Sequence, residues 1–134
     1  MSLRFGVQMD EKEAIQMNPL QLAYLGDSVW ELIVRYRLIN QKMTVHHMHQ
    51  RCISLVNAHS QANILHLIQN NLSLTEQDIV RRGRNAHAKH PAPRHQNPDE
   101  YSASTGLEAL FGFLYLTGQN ERISFLLDQI QEVL

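Results

Sequence analysis

An aspartate and a glutamate stand in segments of this 134-residue chain that are otherwise almost wholly apolar. Asp27 lies in Leu22-Ala-Tyr-Leu-Gly-Asp-Ser-Val-Trp-Glu31, and Glu108 is the only acid of Ser104-Thr-Gly-Leu-Glu-Ala-Leu-Phe-Gly-Phe-Leu-Tyr115. Burying a lone carboxylate is costly, so such a group needs a partner or a metal. Ala23 and Gly26 flank Asp27, while Thr105, Ala109 and Gly112 lie on or beside the Glu108 stripe. Small side chains let two helices approach closely, and if these two cross there the carboxylates converge. Two carboxylates meeting in a dry place repel unless a cation sits between them, and hard oxygen ligands favour Mg²⁺ or Mn²⁺. Spacing alone leaves alternatives open. Asp27 could bond nearby backbone or an arginine, and Glu108 could pair with Arg35 or Arg37. Glu31, four residues after Asp27 on the same helix face, could be a third metal ligand, a base acting through another group, or an ordinary surface acid.

A second feature is a local concentration of positive charge. The chain has 12 basic and 13 acidic residues and a formal net charge of −1, which argues against coating nucleic acid by bulk charge. Yet Arg81, Arg82, Arg84, Lys89 and Arg94 fall close together, with no acid between Ile79 and Pro98. Such a run, not the total, is what a nucleic-acid partner would meet. Its bland alternative is a solvated loop. The histidines lack the spacing of a zinc site: His46, His47 and His49 cannot share one helix face, and His87, His90 and His95 have no Cys or Asp at ligand spacing. Cys52 is the single cysteine, reads as a small core residue, and excludes an intramolecular disulfide. No signal peptide and no run long enough to cross a membrane is visible, so the expected compartment is the cytoplasm. The length fits one domain, residues 1–134.

The elements that must position these groups read as helices, since alternating strand patterns are missing. A short helix fits 10–16. Asn18-Pro19 is a start signal for a central helix to about Leu38. Thr44 caps another, a fourth runs from about Asn57 to Gln69, and Thr75 opens a fifth. The stretch 85–101, with Pro91, Pro93 and Pro98, reads as a mobile basic loop. Helix returns from about Ser102 to Leu116, with Gly118 as its stop. A last amphipathic helix spans about Asn120 to Val133. The expected class is all-α, with about six to seven helices.

Leu25-Gly26-Asp27-Ser28-Val29 resembles the core of the ribonuclease III signature, and Glu108-Ala109-Leu110-Phe111-Gly112 resembles that family's second acidic helix. With Arg82-Gly83-Arg84-Asn85 between them and no double-stranded-RNA-binding domain after them, the chain is most similar to the short bacterial mini-ribonuclease III branch. The resemblance spans roughly residues 17–132. It implies an all-α endoribonuclease domain that dimerises and cuts the two strands of an RNA duplex with a stagger. Asp27 and Glu108 match catalytic, Mg²⁺-binding carboxylates, and Tyr24 matches an aromatic near the dimer contact. The branch is associated with maturation of large-subunit (23S) ribosomal RNA. The grip on RNA is expected from Arg81, Arg82, Arg84, Asn85 and Lys89, which could reach phosphates and 2′-hydroxyls across a minor groove. The larger enzymes carry a Glu where Ala23 stands and an Asp where Thr105 stands, which puts a two-metal arrangement in doubt. A rival reading is a catalytically silent module that binds structured RNA on ribosomes.

Overall fold

The structure, a computed structural model, describes residues 5–86 and 93–134. Among them are seven α-helices and no strand: α1 (Glu11–Ile15), α2 (Pro19–Ile39), α3 (Val45–Val56), α4 (Ala58–Ile68), α5 (Leu74–Asn85), α6 (Pro98–Leu116) and α7 (Asn120–Asp128), with a 3₁₀ turn at Gln69–Asn71. The fold is all-α, as the sequence indicates. No helix among the described residues is long and apolar enough to cross a membrane.

Helix α6 is the hub. From Ala103 to Leu114 every residue but Glu108 is buried, which is what a helix apolar on all sides requires. It packs against α2, α4 and α5. Trp30 of α2 is fully buried. Its ring lies 5.3 Å from that of Phe111, and its indole N–H donates to the Leu55 carbonyl at 3.1 Å, tying α2 to α3. Cys52 is a buried, free thiol.

Local signals set most boundaries. Asn18 Oδ1 accepts from the Leu20 N–H at 2.9 Å ahead of Pro19. Thr44 caps α3, and Asn57 caps α4. Gly118, with φ +69°, ends α6. The bonds from Gly118 N to Tyr115 O and from Gln119 N to Leu114 O close the motif that a left-handed residue makes possible.

Three boundaries differ from those read in the sequence. Helix α5 is capped by Ser73, not Thr75, because Ser73 and Glu76 form a reciprocal capping box. Helix α6 begins at Pro98, not Ser102: Asn97 Oδ1 accepts from the Asp99 and Glu100 N–H groups, the same Asn-Pro start that opens α2. The expected loop at 85–101 therefore shrinks at both ends, since Asn85 is the last residue of α5. Residues 87–92 of that stretch, with Lys89, His87, His90 and Pro91, lie outside the described residues. Helix α7 ends at Asp128 and gives way to turns with bonds from Gln129 N to Leu126 O and Val133 N to Ile130 O, although Ile130 is still buried.

One ion pair locks the periphery. Arg122 of α7 donates to both oxygens of Glu76, at 2.8 and 2.7 Å, and to the Asn71 carbonyl. Burial pushes the Glu76 carboxyl up, but the bonds from Arg122 and from the Ser73 N–H outweigh it and hold the group below the usual range.

Candidate active site

The site is built where α2 crosses α6, and glycine makes the crossing possible. A Cβ at Gly26 would stand 1.6 Å from the Glu108 carbonyl oxygen, and one at Gly112 would stand 2.0 Å from the Leu22 carbonyl oxygen. No side chain fits at either place, so the two backbones touch. Asp27 follows Gly26 directly, and Glu108 is the residue on which Gly26 rests. Backbone contact at this point brings the two carboxyl groups into hydrogen-bonding reach of each other.

Their surroundings differ. Asp27 is exposed, which corrects its placement inside an apolar helix: α2 buries Leu22, Ala23, Gly26, Val29 and Trp30 but leaves the flank of Tyr24, Asp27, Ser28 and Glu31 open. Glu108 is largely withdrawn from water. Burial, followed by the hydrogen bond to and charge of Asp27, pushes its carboxyl up to about 8, against a smaller opposing effect of the Gln61 amide. Gln61 of α4 donates from Nε2 to Glu108 Oε2 at 3.5 Å. Among the described residues no arginine pairs with Glu108, so the pairing with Arg35 or Arg37 does not form; Arg35 pairs instead with Glu31.

Two oxygen-donor carboxyls that face one another, one of them left uncharged at neutral pH by its neighbour and by burial, suit a hard divalent cation. The positive charge would relieve the repulsion that pushes Glu108 up. Glu31 does not join them. It is exposed and ion-paired 3.5 Å from Arg35, and no group of three potential metal-ligating side chains occurs among the described residues.

The basic run divides. Arg81, Arg84 and Asn85 line one cleft of about 460 Å³ between α4 and α5, together with Gln69, Asn70 and Gln77. Arg84 lies against α6, its Cγ beside Gly106, and no described residue accepts from its guanidinium. Arg81 is exposed and pairs with Asp78. Arg82 is turned away: its guanidinium donates to the carbonyls of Ile15 and Met17, at 2.5 and 2.9 Å, and fastens the link between α1 and α2. Lys89 lies outside the described residues. Tyr24, one turn before Asp27, is 86% exposed.

Two features escaped the sequence reading. Gln61 shares the buried face of α4 with Ile64, Leu65 and Ile68, and an amide at a core position of an amphipathic pattern was the available signal. His59 Nδ1 is in hydrogen-bonding contact with Glu100 Oε2 on the first turn of α6. Partners 41 residues apart leave no local pattern.

Comparison with known proteins identifies the family of the chain. The Ribonuclease III domain family matches residues 20–119. The chain is 50% identical over 111 residues to "Mini-ribonuclease 3" of Symbiobacterium thermophilum, covering 82% of this chain and 85% of that one. It is 39% identical over 128 residues to the protein of that name from Synechococcus, covering 96% and 91%. A crystal structure of a Fusobacterium nucleatum protein matches with a TM-score of 0.79 at 29% identity, over 87% of this chain and 93% of that one.

Proposed function

Since the chain belongs to the ribonuclease III family, we propose that it is an endoribonuclease that cleaves double-stranded RNA with a divalent cation held by Asp27 and Glu108. The observation that carries this reading is the facing carboxyl pair, with Glu108 pushed up to about 8 by burial and by Asp27. Bound Mg²⁺, or Mn²⁺ in its place, would supply charge relief on the scissile phosphate and a lowered pKa for attacking water. Asp27 and Glu108 fix where that charge sits. The contact of Gly26 with the Glu108 backbone fixes the backbone positions from which the two side chains extend before the duplex arrives. The products are a 5′-phosphate and a 3′-hydroxyl.

Arg81, Arg84 and Asn85, with Lys89 beyond them, form the grip on the duplex. Arg84 is the central member, because its stem lies beside the helix that carries Glu108. The active form is a homodimer with Tyr24 near the contact, and the substrate is a precursor of large-subunit ribosomal RNA in the cytoplasm. The exposure of an aromatic ring one turn from Asp27 supports an interface there.

The test is incubation of a labelled RNA duplex with the protein, with Mg²⁺ or with EDTA, beside Asp27→Asn. Cleavage that needs both the metal and Asp27 is expected. Binding without cleavage would favour the silent RNA-binding module instead.

A further inference from the structure

We propose that Gln61 is a positioning residue of the carboxyl pair: its buried amide holds the Glu108 carboxylate in the rotation that faces Asp27, and so sets how tightly the pair binds a divalent cation. The proposal rests on the cation reading above.

The amide has no other evident purpose. Gln61 is 2% exposed. It occupies the same face of α4 as Ile64, Leu65 and Ile68, all buried, where an apolar side chain would pack without the desolvation cost that an amide carries. Its backbone N–H already bonds the Asn57 carbonyl, so the side chain is not needed to cap the helix. Among the described residues its one side-chain partner is Glu108 Oε2, 3.5 Å from Nε2. An amide nitrogen can donate to a carboxylate without adding charge, which a lysine or arginine would do. By engaging one of the two oxygens, it restricts rotation of the carboxyl plane about its last torsion, which is otherwise broad. The separation is long for a bond to a carboxylate and is expected to shorten when that group carries its full charge. Residues that orient a metal ligand in this way commonly change metal affinity by about 10- to 100-fold when removed.

The experiment titrates Mn²⁺ into the protein alone, without RNA, and follows free Mn²⁺ by electron paramagnetic resonance. Wild type, Asp27→Asn, Gln61→Leu and Gln61→Met are compared, with circular dichroism melts alongside. The expected result is Mn²⁺ binding at least about 10-fold weaker in the folded Gln61 variants, with melting temperatures equal to wild type or higher. A merely structural glutamine would lower the melting temperature and leave the affinity alone. Wild-type binding that Asp27→Asn loses but both Gln61 variants keep within about two-fold would overturn the proposal and leave the cation reading intact. No Mn²⁺ binding by the wild type would overturn both. Should neither Gln61 variant fold, the wild type decides: Mg²⁺ is expected to shift the side-chain amide resonances of Gln61 downfield, and unmoved resonances in a protein that binds the ion would refute the role.

Discussion

Replacing Glu108 by glutamine should make the folded protein more stable at neutral pH while removing its activity. The carboxyl sits at about 8 in the fold against an ordinary 4.5. Below about pH 4.5 the group is protonated in both folded and unfolded chains and adds no pH dependence. Between 4.5 and 8 the unfolded chain ionises and the folded chain does not, so stability falls as pH rises; above 8 both are ionised and the loss is complete. At ~1.4 kcal/mol per pH unit, the interval from 4.5 to 7 corresponds to about 3 kcal/mol. Partial access of water to the pair reduces this, so a gain on the order of 1–3 kcal/mol at pH 7 is expected for Glu108→Gln. The variant keeps the volume, a carbonyl oxygen to accept from Gln61 and an N–H to offer Asp27. Urea unfolding at about pH 4 and pH 7 measures it: the two proteins should be close at the lower pH and separate at the higher. Saturating Mg²⁺ should stabilise the wild type and leave the variant unmoved. A stability gap that is the same at both pH values, or a variant less stable than wild type at pH 7, would refute the placement of Glu108 in a dry, like-charged setting.

Three further substitutions test the scaffold and the grip. Gly26→Ala, whose Cβ would stand 1.6 Å from backbone, should cost about 3 kcal/mol or more in thermal unfolding and abolish cleavage, since only separation of α2 from α6 relieves the clash; a stable, active alanine variant would show that the helices are not in contact there. Arg84→Ala should weaken duplex binding and lower the salt slope by about one with little change in melting. Arg82→Ala should do the reverse, destabilising the link at Ile15 and Met17 with an unchanged salt slope, as filter binding at several salt concentrations would reveal.

The carboxyl pair was legible in the sequence because a charge inside an apolar run is a contradiction that only function or a partner resolves. The convergence of the helices was legible too, from Gly26 and Gly112. The exposure of Asp27 was not, because apolar residues on more than one face of α2 hide which flank stays open. The basic run misled for a related reason. Adjacent helical residues point about 100° apart, so Arg81 and Arg84 share a cleft while Arg82, between them, faces α1 and α2. The early start of α6 was missed although Asn97-Pro98 repeats the Asn18-Pro19 signal. The first turn after it, Asp99-Glu100-Tyr101-Ser102, carries no apolar period. Gln61 went unread because its partner lies 47 residues away.

The hub position of α6 ties the chemistry to the core. Two helices packed on α6 each bring one group toward Glu108: α2 brings Asp27 and α4 brings Gln61. Neither of these contacts is local in sequence, so the site can form only when the tertiary core has formed, and separation of either helix dismantles it. Glu108 in turn opposes that core at neutral pH, because its helix is otherwise buried and its carboxyl sits beside another. The fold offsets this through contacts that have no part in the chemistry: the Trp30–Phe111 packing, the bond from Trp30 to Leu55, and the Arg122–Glu76 pair. Substitutions there should lower stability and activity together, in proportion to the folded fraction, whereas substitutions at Arg81, Arg84 or Asn85 should change the hold on RNA in a protein that is still fully folded.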